Sequence, residues 1–356
     1  MSVTDAPAIG QRERLPMLDV LRFFAALSVV FYHMTYRPDE SALFTWLQPF
    51  TKFGYLGVDV FFIISGFVIL WSAAGRSVPD YLISRVARLY PSFWVAILVT
   101  SVTMLALRPE RLRSLWAIVA NFTMLPGYIV GDQFVDGVYW TLAIELKFYF
   151  LIFLALLFRQ IEHIQRWLWG WLVITAACYL PQMPHAVQSL IIFPFGPYFV
   201  AGGIFYLTWR HGPSPSRWVA LAICLLLTCT ASVRNRTGFM SAATPESAWV
   251  VVGLLIWAFG MFTAIALRAF AEMKSHFWVS LGGFTYPLYL VHNEVGKAVF
   301  WTAGPAANEW LRLAAALAVI AAITWLITRY VEKQASPGLR RWLTSLLRIA
   351  ANALKG

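Results

Sequence analysis

Charge is what this chain has least of. Only 13% of its 356 residues are charged, about half the share found in soluble proteins. Apolar residues make up 60%, with 17 Trp, 27 Phe and 14 Tyr, and the mean hydropathy is +0.66. No water-soluble globule can hide that much apolar surface in one core, so the bulk of the chain belongs in lipid. The same apolar content excludes intrinsic disorder. Cysteine is scarce too. Cys178, Cys224 and Cys229 all lie in apolar stretches and no CxxC occurs. They read as small buried residues, not as a disulfide framework or a metal site. No internal repeat is visible, so an inverted-repeat transporter is not signalled. The longest stretches outside apolar runs, about 108–137 and the tail after Glu332, fall below the domain minimum of about 50 residues.

What is there is a series of helix-length apolar runs. A span needs roughly 20 residues, and ten runs are read as spans, the fifth of them short: Met17–Tyr36, Leu56–Ala73, Pro91–Leu107, Val138–Phe158, Trp167–Leu180, Ser189–Trp209, Trp218–Val233, Ala248–Ala269, Phe277–Trp301 and Trp310–Val331. The segment Leu112–Leu125 reads as a half-span or an interfacial helix. The fold expected is an all-α polytopic membrane protein: a cytoplasmic N-terminal tail (1–16), a transmembrane domain (17–331) and a basic cytoplasmic tail (332–356). The first run lacks a small-residue cleavage site and reads as a retained span. The formal net charge is +11. Lys and Arg favour the loops on the N-terminal side by about two to one, which places both termini in the cytoplasm. That bias accounts for much of the positive charge without nucleic acid as a partner.

Ionisable side chains at membrane depth are costly and mark function or a paired structural site. In LDVLRFFAALSVVFYHM, Asp19 and Arg22 are three apart and share a helix face. His33 lies eleven residues beyond Arg22, about 16 Å along the same face. The bland reading makes these a helix-end ion pair and a headgroup-level polar residue. In FGYLGVDVFFIISGFVILW, Gly54 and Gly57 permit close helix approach, as do Ser65 and Gly66. Asp59 falls at the depth of His33, where a carboxylate fixes an imidazole's tautomer, unless it is a loop-end cap. In RSVPDYLISRVARLYPSFW, Arg85 and Arg88 are three apart on a short helix expected to end before Pro91. Two guanidinium forks on one face suit phosphate, although positive-inside residues need no function. In GVYWTLAIELKFYF, Glu145 and Tyr149 share a face, while Lys147 lies off it and can snorkel or pair with a carboxylate. FTYPLYLVHNEVGKAVF carries Tyr286, Tyr289, His292, Asn293, Glu294 and Lys297, with a kink expected at Pro287. Together these groups imply a polar cavity inside the bundle.

LDVLRFFAALSVVFYH, GVDVFFIISGF, SRVARLYPSFW, YWTLAIELKFYF, FTYPLYLVH and a closing Glu332, in this order, resemble the membrane-bound acyltransferase family 3, whose members O-acylate surface glycans and related acceptors. The resemblance runs from Leu18 to about Glu332. It implies an acyl-coenzyme A donor, most often acetyl-CoA, supplied from the cytoplasm. His33 matches the essential histidine, Arg22 the basic residue of the same helix, and Arg85 and Arg88 the Arg–xx–Arg pair associated with the donor. Asp59, Ser65, Trp140, Glu145 and Tyr149 match other motif positions. Many relatives carry a further hydrolase-like C-terminal domain that has no counterpart here. Phe23–Phe24 stand where many relatives have glycine-rich spacing.

On that basis the catalytic set is His33, Asp59, Glu145 and Tyr149. The donor set is Arg22, Arg85, Arg88, Asp19 and Ser65, and the acceptor set is Trp140, Tyr286 and His292. His33 acts as general base or as acyl carrier, Asp59 or Glu145 orients it, and Tyr149 or Trp140 supplies the oxyanion donor. The expected partners are acyl-CoA, a glycan or lipid-linked sugar of the bacterial inner membrane and the bilayer itself, with no permanently bound cofactor; a homo-oligomer is left open. A permease using the same groups as a proton relay, or a scaffold, are the competing classes.

Overall fold

A computed structural model describes residues 15–36, 44–179, 183–240, 244–302, 304 and 307–353. All regular structure among them is helical. The α-helices are α1 (Pro16–Thr35), α2 (Gln48–Thr51), α3 (Gly57–Ala73), α4 (Val78–Leu107), α5 (Leu115–Asn121), α6 (Trp140–Leu157), α7 (Ile164–Ala177), α8 (His185–Leu190), α9 (Gly196–His211), α10 (Pro215–Phe239), α11 (Pro245–Ala266), α12 (His276–Val291), α13 (Glu294–Thr302), α14 (Glu309–Leu326) and α15 (Ser336–Ala353). Most of the expected N-terminal tail, and the last three residues of the C-terminal one, lie outside the described residues.

Seven helical segments among the described residues are long and apolar enough to cross a membrane: Pro16–Thr35, Gln48–Ala73, Val78–Leu107, Gly137–Leu157, Pro215–Phe239, Pro245–Ala266 and Glu309–Ala350. The other three expected spans fall on shorter helices. The described part of Trp167–Leu180 falls mostly on α7, of 14 residues, which ends at Ala177. Ser189–Trp209 is split between the six residues of α8 and the 16 of α9. Phe277–Trp301 is split between α12 and α13, of 16 and nine residues.

Two local expectations are corrected. The helix carrying Arg85 and Arg88 does not end before Pro91; α4 runs 30 residues through it. Its start is fixed by Ser77, whose hydroxyl accepts the Asp80 backbone N–H at 3.2 Å. Pro91 itself is buried, a setting in which neighbouring helices tolerate a proline. The expected ninth span runs as a helix through Pro287, and it is interrupted at His292–Asn293, between α12 and α13, which the sequence did not announce. There the Asp136 carboxylate accepts the backbone N–H of Glu294 at 2.9 Å, and the Tyr139 hydroxyl donates to the Leu290 carbonyl at 3.1 Å. Both are backbone groups that a helix break leaves without a partner.

The core is organised around α3. Against α9 the two backbones nearly touch: a Cβ at Gly202 would collide with the Ile63 carbonyl, and one at Gly66 with the Phe199 carbonyl. On its other side, Gly54 and Gly57 bring the chain equally close to Ser28 and Ala25 of α1, the close approach expected from small residues. α1 in turn packs on α12, while α4 and α6 close the remaining side. Arg22, His33, Asp59, Ser65, Arg85, Arg88, Glu145, Tyr149 and Tyr286 line cavities among these helices.

Candidate active site

One unbroken helix carries Asp19, Arg22 and His33. The Arg22 guanidinium donates to the Asp19 carboxylate at 2.9 Å, as the spacing of three requires. α12 presses on this pair, since a Cβ at Gly282 would sit 2.5 Å from the Asp19 carboxylate.

Further along, Glu145 is the meeting point of α6 and α3. One of its oxygens accepts the Tyr149 hydroxyl at 2.6 Å and the Ser65 hydroxyl at 3.0 Å. Ser65, expected on the donor side, is thus tied to the same carboxylate as Tyr149. The Arg85 guanidinium lies 5.6 Å from the Tyr149 ring centre and 5.8 Å from that of Tyr81, within cation–π range. Arg88 lies 5.9 Å from the Tyr286 ring centre and 3.8 Å from the Glu332 carboxylate. The Tyr286 hydroxyl donates to the Leu89 carbonyl of α4 at 3.0 Å. Lys147 is turned aside and donates to the Ser189 hydroxyl at 3.0 Å.

Asp59 is buried, and one oxygen accepts the hydroxyls of Tyr198 at 2.9 Å and Ser232 at 2.8 Å. The carboxylate is therefore clasped by α9 and α10. The imidazole packed on His33 is His292, with ring centres 5.2 Å apart. His292 is completely buried, and its Nδ1 lies 2.8 Å from the Tyr289 carbonyl. A carbonyl only accepts, so Nδ1 carries the hydrogen. Trp140 packs edge-on to Phe62 and tilted against Phe195, with ring centres 6.5 and 5.4 Å away.

Three cavities stand in a row through this region. The first, about 490 Å³, is lined by Asp19, Arg22, Ser72 and Arg88. The second, about 130 Å³, shares Arg22, Val68 and Arg88 with it, and adds Ser65, Arg85, Glu145, Tyr149 and Tyr286. The third, about 260 Å³, shares Val58 and Tyr289 with the second and is lined by His33, Asp59, Trp140, Glu294 and Lys297. The guanidinium groups and the imidazole thus lie on one file of chambers, with Val58 and Tyr289 as the partition before His33. His292 lines none of the three and packs on the His33 ring.

Sequence reasoning missed three residues of this region. Tyr198 and Ser232 clasp Asp59 from 139 and 173 residues away, and no local spacing announces them. Asp136 is fully buried and also accepts the Asn293 side-chain amide at 2.7 Å. Its one visible signal was an Asp two residues ahead of a helical run, where its oxygen caps the Val138 N–H at 3.1 Å.

The sequence profile of the family described as "Acyltransferase domain" matches residues 15–329. The chain is 28% identical to the acyltransferase MdmB of Streptomyces mycarofaciens, over 78% of each chain. It is 27% identical to the peptidoglycan O-acetyltransferase OatA of Listeria monocytogenes, over 39% of this chain but 24% of that protein. It is 26% identical to nodulation protein 10 of Rhizobium leguminosarum, over 53% of this chain and 56% of that one. No solved structure matches. With the profile spanning most of its length and apolar helices forming its frame, the chain belongs to the membrane-bound acyltransferase family 3 and is a multi-pass acyltransferase.

Proposed function

We propose that the chain is an O-acetyltransferase of the bacterial inner membrane, carrying an acetyl group from cytoplasmic acetyl-CoA to a hydroxyl of a cell-surface glycan or its lipid-linked precursor. The observation that carries this reading is the file of three cavities, with guanidinium groups at one end and His33 at the other. In it the shorter helices complete ten spans and both termini face the cytoplasm. The relatives named as O-acetyltransferases support acetyl as the group moved.

Coenzyme A offers phosphates at its head and a slender arm ending in the thioester. Arg88 and Arg22 line both the outer and the middle chamber, and Arg85 lines the middle one; guanidinium forks there hold the phosphates. The arm follows the file to His33, about 16 Å beyond Arg22. The acceptor enters the third chamber from the opposite side, against Trp140.

His33 then takes the hydroxyl proton as the acceptor oxygen attacks the thioester carbonyl. A C–O bond forms and the C–S bond breaks. The departing thiolate regains a proton from the imidazolium, giving free coenzyme A. In the covalent version an imidazole nitrogen attacks the thioester carbonyl and coenzyme A leaves as the thiolate; the acceptor hydroxyl then takes the acetyl group from the nitrogen, and its proton passes to the thiolate. In both versions His33 is indispensable. The test is transfer of radiolabelled acetyl from acetyl-CoA by purified protein in vesicles. His33→Ala and His33→Gln should lose transfer while remaining folded and inserted, and a fully active His33→Ala variant overturns the proposal. Mass spectrometry of surface polysaccharides with and without the gene, read for a loss of acetyl-sized mass, identifies the acceptor.

A further inference from the structure

The chain does not stop at its last span. From Glu309 the helix continues through a π-helical stretch, Ile327–Ala335, into α15. The 27 residues from Glu309 to Ala335 rise about 40 Å, more than the roughly 30 Å hydrocarbon core needs. α15 therefore lies beyond the core, at the headgroups or in water.

Its sequence, SPGLRRWLTSLLRIAANA, is sorted sharply around the helix axis. At 100° per residue, Leu339, Trp342, Leu343, Leu346, Leu347 and Ile349 occupy one arc. Arg340, Arg341, Thr344, Ser345 and Arg348 occupy the other. No acidic residue falls within it. The two hydroxyls are used internally: Thr344 donates to the Arg340 carbonyl at 2.8 Å and Ser345 to that of Trp342 at 2.7 Å. The polar arc therefore offers guanidinium groups outward and little else.

α15 leans on α4, and on its apolar arc Leu339 and Leu343 are half-buried. The rest is bare: Trp342 is 57% exposed, Leu346 44%, Leu347 39% and Ile349 65%. A helix tethered directly to a membrane span, with an apolar arc on one side and only cations on the other, matches a surface that is apolar below and anionic above.

We propose that in the membrane the rod bends at the π-helical stretch, so that α15 lies in the plane of the membrane, with Trp342, Leu346 and Ile349 among the acyl chains and Arg340, Arg341 and Arg348 on the phosphates of anionic phospholipids. The occupant of its bare face is the bilayer itself, on the side where the Arg-rich loops gather. The arrangement is independent of the reaction that the bundle performs.

The test uses the full chain in vesicles of phosphatidylcholine with about one-third phosphatidylglycerol. A nitroxide is attached at Leu346→Cys or, on the opposite arc, at Thr344→Cys, with the unsubstituted chain as the labelling control. Collisions with oxygen, which enters lipid, are compared with collisions with a water-soluble nickel chelate. At position 346 oxygen should prevail severalfold, and at position 344 nickel should. The triple variant R340Q/R341Q/R348Q should at least halve the contrast at 346, as should 1 M salt. Nickel access at 346 would put the helix in water and overturn the proposal. Shielding of 346 from both reagents would mean that a protein, such as a second copy, covers the face, and would overturn it as well. An unchanged contrast in the triple variant would remove the anionic lipid from the account.

Discussion

The middle and the inner chamber are built from similar residues but use them differently. In the middle chamber the ionisable groups face one another. Glu145 takes two hydroxyls, Arg85 lies between two tyrosine rings, and Arg88 is beside Glu332. In the inner chamber no arginine is among the described lining residues. Asp59 accepts the hydroxyls of Tyr198 and Ser232, all three line the same space as His33, and His292 packs on the His33 ring. The first arrangement suits holding a charged ligand at the end of a defined frame. The second suits a reacting group that shares its space with a carboxylate already held by two hydroxyls. What separates the two chambers is what each carboxylate shares its space with, guanidinium groups in the middle one and an imidazole in the inner one.

The largest expected effect falls on the inner chamber. His33→Ala should lower kcat by about 10²–10⁴-fold, the usual worth of a positioned acid–base group. Glu145→Gln keeps an acceptor oxygen for Ser65 and Tyr149 and should lose far less. Equal losses would erase the distinction between the chambers.

Asp136→Ala comes next. It removes a buried acceptor from the Asn293 amide and from the backbone of Val138 and Glu294. A stability loss of about 1–3 kcal/mol is expected from the unsatisfied donors alone. Thermal unfolding in detergent measures it, and an unchanged midpoint would show that the α12–α13 break does not depend on this carboxylate.

Arg85→Ala sharpens the comparison from the other side. Donor KM should rise about tenfold, or about 1.4 kcal/mol, with kcat less affected. An unchanged KM would place the donor elsewhere.

The smallest effect belongs to Asp19→Asn. The Asp19–Arg22 side chains are 21% and 22% exposed, and Asn keeps an acceptor oxygen for the guanidinium, so the loss should be about 1 kcal/mol, the difference between a charged and a neutral hydrogen bond. A larger loss in the unfolding midpoint would mark the entrance as part of the load-carrying frame.

How much of this was legible depended on distance along the chain. Contacts within one turn could be read from spacing, as with Asp19 and Arg22 or Glu145 and Tyr149. Close approach at Gly54, Gly57 and Gly66 was legible because small residues in an apolar run have few other uses. The continuation of α4 through Pro91 was not, because a proline's local penalty is overruled by packing that the sequence does not display. The break at His292–Asn293 was hidden for a related reason. It is held by Asp136 and Tyr139 from a distant loop, and Pro287, the local candidate, sits inside a continuous helix. The clasp on Asp59 and the link from Ser65 to Glu145 join residues 80 to 173 positions apart, beyond any periodicity. Family resemblance named the residues; only the fold assigned their neighbours.

α9 has one more consequence. Fourteen of its 16 residues are buried, and α3, α7, α10 and α11 surround it. A helix sheathed in protein is released from the length that fatty acyl tails demand of their immediate neighbours. Bilayer thickness is therefore felt by the peripheral rods alone, while the short central strut keeps its length in thin and thick membranes alike.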